Sequence, residues 1–317
     1  MGLDIQERLR PLPARSWIAA NLEKIKIDTP EHFSFAVFGD IRSRNPKFGN
    51  LLKLIDHDPE IAFAMVLGDF IEQGTKEAYR HFLRQARSHL GIPLLTAMGG
   101  NELRGKGRRL YSEILGPPRY SFRIGKTYFV VLDNARRAEI DGAQRRWIEE
   151  ELSKATAFDR RIVFLHVPLY DPDGGKLGRC LPEASARTLA GLFKKYRVTH
   201  VFASYINGYF EGQWMGIPYT ITGGAGAKLP GDAPDSYFSH FLKVKIKKGS
   251  YRIQVKLAPP PDLGWPASIH RVLQKAYTFF RSNGMVLAFL LIVGGFLIGL
   301  RGSPPQEESE SSLLNGL

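Results

Sequence analysis

The sequence predicts an α/β domain of mixed β-sheets flanked by helices, followed by a transmembrane helix. Three observations predict it. Short apolar β-type runs alternate with helical patterns between residues 33 and 256. Polar residues cluster directly after five of those runs. An uncharged apolar run of sixteen residues, 285–300, stands near the end.

Taken in order, the candidate strands are 33–38, 61–67, 94–98, 128–132, 162–165 and 200–203. Candidate helices 48–55, 76–90, 143–155 and 183–196 lie among them. Strands spaced by helices of this length argue for βαβ units and a largely parallel core. The later runs 219–222, 241–246 and 251–255 have no helix between them and read as antiparallel strands. No internal repeat is visible. Residues 33–257 therefore form the principal domain, preceded by an N-terminal segment, 1–32. That segment has no uninterrupted apolar stretch of the kind a secretory signal needs. Gln6 stands where myristoylation requires Ser or Thr.

The composition changes after residue 257. Pro259, Pro260 and Pro261 make a stiff spacer, and 258–284 continues as a basic, aromatic juxtamembrane helix. The run 285–300 is apolar on every face. As a helix it covers about 24 Å, and flanking polar residues with a snorkelling Arg301 extend it toward the ~30 Å hydrocarbon core. The competing reading is a buried core helix. Arg271, Lys275 and Arg281 precede the run, whereas Arg301 alone follows it, before an acidic tail, 301–317. The positive-inside rule then places the large domain on the cytoplasmic side of a single-pass membrane protein. Gly295 and Gly299 are spaced for close helix–helix approach, so a homodimer through this segment is an expectation.

The chain has 317 residues, 44% of them hydrophobic, and a formal net charge of +13. The apolar share excludes wholesale disorder. One cysteine, Cys180, excludes an intrachain disulfide and a Cys-built zinc site. The basic excess suits an anionic membrane leaflet or phosphorylated molecules. Lys and Arg do not alternate with aromatics in a nucleic-acid pattern, so no nucleic-acid partner is expected.

The polar clusters after the strands are Gly39-Asp40-Ile41-Arg42, Gly68-Asp69 through Gly74, Gly100-Asn101-Glu102, His166-Val167-Pro168, and Ser204-Tyr205-Ile206-Asn207. Ligands of open α/β sheets bind at the carboxyl ends of strands. Two aspartates, an asparagine and a histidine gathered there suit a divalent metal: Mg²⁺ or Mn²⁺ by their oxygens, Fe or Zn once imidazole joins. Singly, each has a plainer reading. Asp after Gly is a common turn former or helix cap, and a lone His is more often a hydrogen-bonded core residue. His57 reads as a solvated helix end, and His200 lies at the opposite strand end. Arg104, Lys106, Arg108 and Arg109 read either as phosphate contacts or as a solvated basic loop.

The order of the five clusters resembles the calcineurin-like metallophosphoesterase superfamily over about residues 33–256. That family carries D-x-H, G-D-x-x-x-x-G, G-N-H-D/E, a lone H, and G-H-x-H. Tyr120-Ser121-Phe122, Leu132-Asp133, Gln144 with Trp147, and Gly223 to Gly226 strengthen the likeness. The resemblance implies a metallophosphoesterase-like β-sandwich. It also implies phosphoester hydrolysis assisted by divalent metal (Mn, Fe, Zn or Mg), with Asp40, Asp69, Asn101 and His166 as ligands. Three ligand positions depart from the pattern: Arg42 replaces the histidine of D-x-H, and Tyr205 and Asn207 replace both histidines of G-H-x-H. Glu102 stands where the family's catalytic histidine does.

A guanidinium has no lone pair for a metal. Arg42 is therefore expected to pair with Asp40 and displace one ion, leaving at most one metal at Asp69, Asn101 and His166. Arg42 and Glu102 then line the phosphate position as the candidate catalytic residues, with Glu102 an acid only if its pKa is raised. Two functions follow from the resemblance. One is weak, single-metal hydrolysis of a phosphorylated substrate at the membrane. The other is a metal-free pseudoenzyme that binds a ligand or partner there.

Overall fold

A computed structural model describes residues 16–258, apart from 139, 173, 175–177 and 227–235, together with Ala276. The chain divides into two units, Met1–Trp265 and Pro266–Leu317. The expected juxtamembrane helix, apolar run and acidic tail lie outside the described residues, Ala276 excepted. No helix of the described residues is long and apolar enough to cross a membrane.

Two mixed sheets form the principal domain. In the first, β1 (Phe33–Phe38), β2 (Ile61–Leu67) and β3 (Leu94–Ala97) run parallel, joined through α2 (Lys47–Asp56) and α3 (Lys76–His89). The hairpin of β10 (His240–Lys247) and β11 (Ser250–Leu257) completes this sheet by pairing antiparallel with β1, Phe33 opposite Ile246 and Val37 opposite Leu242. In the second sheet, β5 (Thr127–Val131), β6 (Arg160–Phe164), β7 (His200–Ala203) and β9 (Ile217–Thr222) are parallel. Antiparallel edges β4 (Tyr120–Ile124) and β8 (Tyr209–Trp214) flank them. Helices α5 (Gly142–Ala155) and α6 (Glu183–Lys195) make its crossovers.

The sheets meet through phenylalanines. Phe35 stacks on Phe63 at 5.0 Å, Phe122 on Phe129 at 4.6 Å, and Phe164 on Phe202 at 5.7 Å, while Phe35 meets Phe129 edge-on at 5.6 Å. On the far side of the second sheet, Val130, Val163 and Val201 pack with Ile148, Leu152, Leu189 and Phe193 of the helices. Central strands are thus buried on both faces, which is why they read as continuous apolar runs. Thr75 Oγ1 accepts Ala78 N–H and Asp141 Oδ1 accepts Gln144 N–H, fixing where α3 and α5 begin.

Four elements differ from the sequence expectation. The strand 219–222 is parallel to β7, because the β8 hairpin arm carries the chain back before β9 starts. Arg108 and Arg109, read with Arg104 and Lys106 either as phosphate contacts or as a solvated basic loop, belong to α4 (Gly107–Ile114), which follows a single 3-10 turn, Asn101–Leu103. Strands β4 and β8 add the two edges. Residues Trp17–Lys24 of the N-terminal segment form α1 against the edge strand β3. There Trp17 Nε1 donates to the Leu94 carbonyl at 2.7 Å, and Leu94 N–H donates to Asn21 Oδ1 at 3.0 Å. These bonds satisfy edge groups that would otherwise offer a docking template.

Candidate metal centre

The parallel strands of both sheets end on one side of the sandwich, and the site is built from the turns that follow them. Asp40 comes two residues after β1, Asp69 two after β2, Asn101 four after β3, His166 two after β6, and Tyr205 two after β7. These turns are tied together through backbone bonds: Asp40 N–H to Gly68 O, Arg42 N–H to Asp69 O, and Ser204 N–H to His166 O. Of the seven non-glycine residues with positive φ among the described residues, four lie in these turns: Asp40, Arg42, Asp69 and Tyr205. Such conformations cost energy and concentrate at functional sites. Gly68, at φ 87°, has no freedom to change. A Cβ there would sit 2.7 Å from both Gly99 Cα and His166 Nδ1.

One donor atom each from Asp40, Asp69 and His166 lies within 4.8 Å of the others. His166 is fully buried. Its Nδ1 is 2.8 Å from the Leu67 carbonyl, so the Nδ1 proton is donated there and Nε2 keeps its lone pair. Nε2 stands 3.5 Å from Asp69 Oδ1 and has no hydrogen-bond partner. A buried nitrogen left this way is costly unless something electrophilic meets it. A backbone carbonyl fixing the other ring nitrogen is the usual support of a metal-binding histidine.

Asn101 donates its backbone N–H to Asp69 Oδ1 at 2.8 Å and its side-chain Nδ2 to Ile71 O at 3.0 Å, which fixes the orientation of the amide. Asp40 Oδ2 accepts Ser204 Oγ–H and, at 2.8 Å, Tyr205 N–H. Burial raises the Asp40 carboxyl to about 6, the Asp69 charge adding to the push while the hydrogen bonds from Ser204 and Tyr205 oppose it. Two carboxylates and an imidazole lone pair in one buried place are short of positive charge. The donor set fits a divalent cation.

Arg42 does not fill that place. Its backbone has a φ of 52°, and its side chain is exposed and makes no ion pair among the described residues. The expected Asp40–Arg42 pair is therefore absent, because Ser204 and Tyr205 hold Asp40 instead. Glu102 also departs from the position expected of an acid at the phosphate. It is fully buried, and its oxygens accept the N–H groups of Asp69 (2.8 Å), Gly99 (2.7 Å) and Ile71 (3.1 Å). Burial first, and the Asp69 charge next, raise its carboxyl to about 8 against those three donors. Glu102 clasps the turn that presents Asp69.

Tyr205 packs its ring edge-on against His166 at 5.4 Å, and Asn207 lies two residues further on, half-buried. His57 is an exposed helix end bonded to Lys53 O, and His200 bonds Thr220 and Tyr251 away from the cluster. Arg108 pairs with Asp133 at 2.6 Å and Arg109 with Glu113 at 2.6 Å, which leaves Arg104 and Lys106 as exposed cations of the former basic loop.

Three residues outside the sequence-derived set support the site. Ser204 holds Asp40. Asn134 Oδ1 accepts the N–H groups of His166 and Val167 at 2.9 and 3.1 Å, pinning the turn that carries His166. Arg137 reaches Tyr205. Ser204 opens the polar cluster after the run 200–203, and an Asn two residues past the strand run 128–132 was the available signal for Asn134; a lone Arg offered none.

A family model for calcineurin-like phosphoesterases matches residues 33–204, more than half of the chain. Among solved structures, a purple acid phosphatase from yellow lupin (Lupinus luteus) seeds is similar at 14% identity and a TM-score of 0.58. The match covers 72% of this chain and 52% of that one, so the chain spans about half the length of the lupin structure. A Plasmodium protein, GAP50, described as the anchor in the inner membrane complex, is similar at 15% identity and a TM-score of 0.58, covering 74% and 87%. PhoD is similar at 10% identity and a TM-score of 0.53, covering 71% and 69%. No curated protein sequence matches the chain significantly.

Proposed function

The chain belongs to the calcineurin-like phosphoesterase family, and from that premise we propose that it is a weak phosphoester hydrolase that works with a single divalent cation. Asp69, Asn101 and His166 hold the ion, with Asp40 beside them. The observation that carries this reading is His166 Nε2, buried, unpartnered and turned toward Asp69 while Nδ1 is tied to Leu67 O. A bound divalent ion would make its water more acidic and offset charge on the phosphoryl oxygens. The chain's own part is to orient the donors: Ser204 and Tyr205 N–H aim Asp40, Asn101 N–H aims Asp69, and Leu67 O fixes the imidazole.

Weakness follows from what is replaced. Arg42, Tyr205 and Asn207 supply no imidazole for a second ion. Glu102 has a raised pKa, but it is fully buried and both its oxygens accept backbone N–H groups, so its task is to hold the turn. Each ~1.4 kcal/mol of lost transition-state stabilisation is tenfold in rate. The test is hydrolysis of an aryl phosphate by the purified full chain with Mn²⁺. Slow turnover above background, lost in Asp69→Asn and His166→Ala, is the expected result. Background rates with every divalent ion refute hydrolysis and leave the second reading, a ligand- or partner-binding module, which the sequestered Glu102 favours. The membrane setting of either role rests on the apolar run 285–300.

A further inference from the structure

The single-ion site has an electrostatic deficit. Asp40 and Asp69, when ionised, together balance one divalent cation. A phosphomonoester dianion then brings two more negative charges with no second ion to meet them. Arg137, in the loop after β5, offers such a charge. Its Nη1 donates to Tyr205 Oη at 2.7 Å, and its guanidinium carbon lies 5.3 Å from the Tyr205 ring centroid. Its Nη2 donates to the Gly178 carbonyl. The same Tyr205 ring meets His166 edge-on at 5.4 Å, and the Tyr205 backbone N–H donates to Asp40. One tyrosine therefore touches two members of the candidate cluster and the guanidinium.

Three features make Arg137 more than a surface arginine. It has no carboxylate partner among the described residues, whereas Arg108 and Arg179 nearby are paired with Asp133 and Asp171. Two of its five N–H donors are used, and the rest remain for a ligand on an exposed side chain. Its backbone is held at φ 51°, a left-handed conformation that a loop arginine seldom adopts without a compensating gain.

We propose that Arg137 is a phosphate-binding residue of this site, contacting non-bridging oxygens of a dianionic phosphomonoester, and that Tyr205 is its positioning residue. This assignment rests on the single-ion reading above and narrows its substrate class to terminal phosphomonoesters. The guanidinium stands in for the charge that a second metal ion would carry, and its planar fork matches two phosphoryl oxygens.

The test is calorimetric binding of inorganic phosphate to the Mn²⁺-loaded full chain. Arg137→Ala should weaken phosphate about 10–100-fold, the usual loss for one charge-assisted contact. Arg137→Lys should weaken it less, because charge survives without the fork, and Tyr205→Phe should weaken it several-fold. Mn²⁺ affinity should change less than twofold in Arg137→Ala. Free guanidinium should restore part of that variant's phosphate binding, which a merely structural role would not allow. Unchanged phosphate affinity in Arg137→Ala, with one Mn²⁺ still bound, overturns the assignment. If the wild-type chain binds no Mn²⁺, the single-ion reading falls instead. Arg137 is then judged on phosphate binding by the metal-free chain, where equal affinities of wild type and Arg137→Ala overturn it as well.

Discussion

Glu102 illustrates how one side chain can occupy a catalytic sequence position and perform a scaffold task. Its carboxyl oxygens accept three backbone N–H groups, from Asp69, Gly99 and Ile71, in a fully buried turn. Leaving such donors unmet costs about 1–3 kcal/mol each in the worst geometry. Glu102→Gln retains one carbonyl oxygen but turns an N–H₂ group toward backbone donors. We expect it to lower stability by about 2–3 kcal/mol, read as an earlier denaturant midpoint at unchanged slope. A variant with wild-type stability and altered turnover alone would return Glu102 to the role of acid. Arg42 gives the converse lesson. From the sequence it stands one residue beyond Ile41, close to Asp40, but its backbone is left-handed and its side chain is exposed.

Among the elements, every strand of the first sheet was legible, whereas the two edge strands of the second, β4 and β8, were not. Strands β1, β2 and β7 run where the apolar stretches 33–38, 61–67 and 200–203 place them, because central parallel strands bury both faces. Strand β8 was missed since its Glu211, Gly212 and Gln213 face solvent at an edge, and α4 since Arg108 and Arg109 disguise its helical face. The candidate donors Asp40, Asp69 and His166, which the structure gathers, and Asn101 beside them were readable from their places after successive strands. The supporting roles of Ser204, Asn134 and Arg137 were not, because they act across distant turns that no local pattern joins.

His200 belongs to this scale too, since it links β7 to β9 through Thr220 and to β11 of the other sheet through Tyr251. Burial lowers its pKa from 6.5 to about 3. The unfolded chain therefore takes a proton below pH 6.5 that the folded chain refuses. This contribution to stability is lost as pH falls from 6.5 toward 3, by about 3 kcal/mol at pH 4. His200→Gln should flatten that part of the stability–pH profile, and an unchanged acid limb would show that other groups control it.

At the scale of the whole molecule, the chain is a calcineurin-like phosphoesterase-family domain matched over residues 33–204. The chain's +13 charge and the run 285–300 together predict membrane attachment. The full chain should stay with membranes through an alkaline wash and leave only with detergent, whereas a chain lacking 285–300 should be released. Release of the full chain by the wash alone would end the anchored reading. Metal analysis of the purified full chain after equilibrium dialysis against Mn²⁺ counts the bound ions. One ion per chain is expected, lost in His166→Ala and in Asp69→Asn. Two ions per chain, or none, would contradict the single-ion reading.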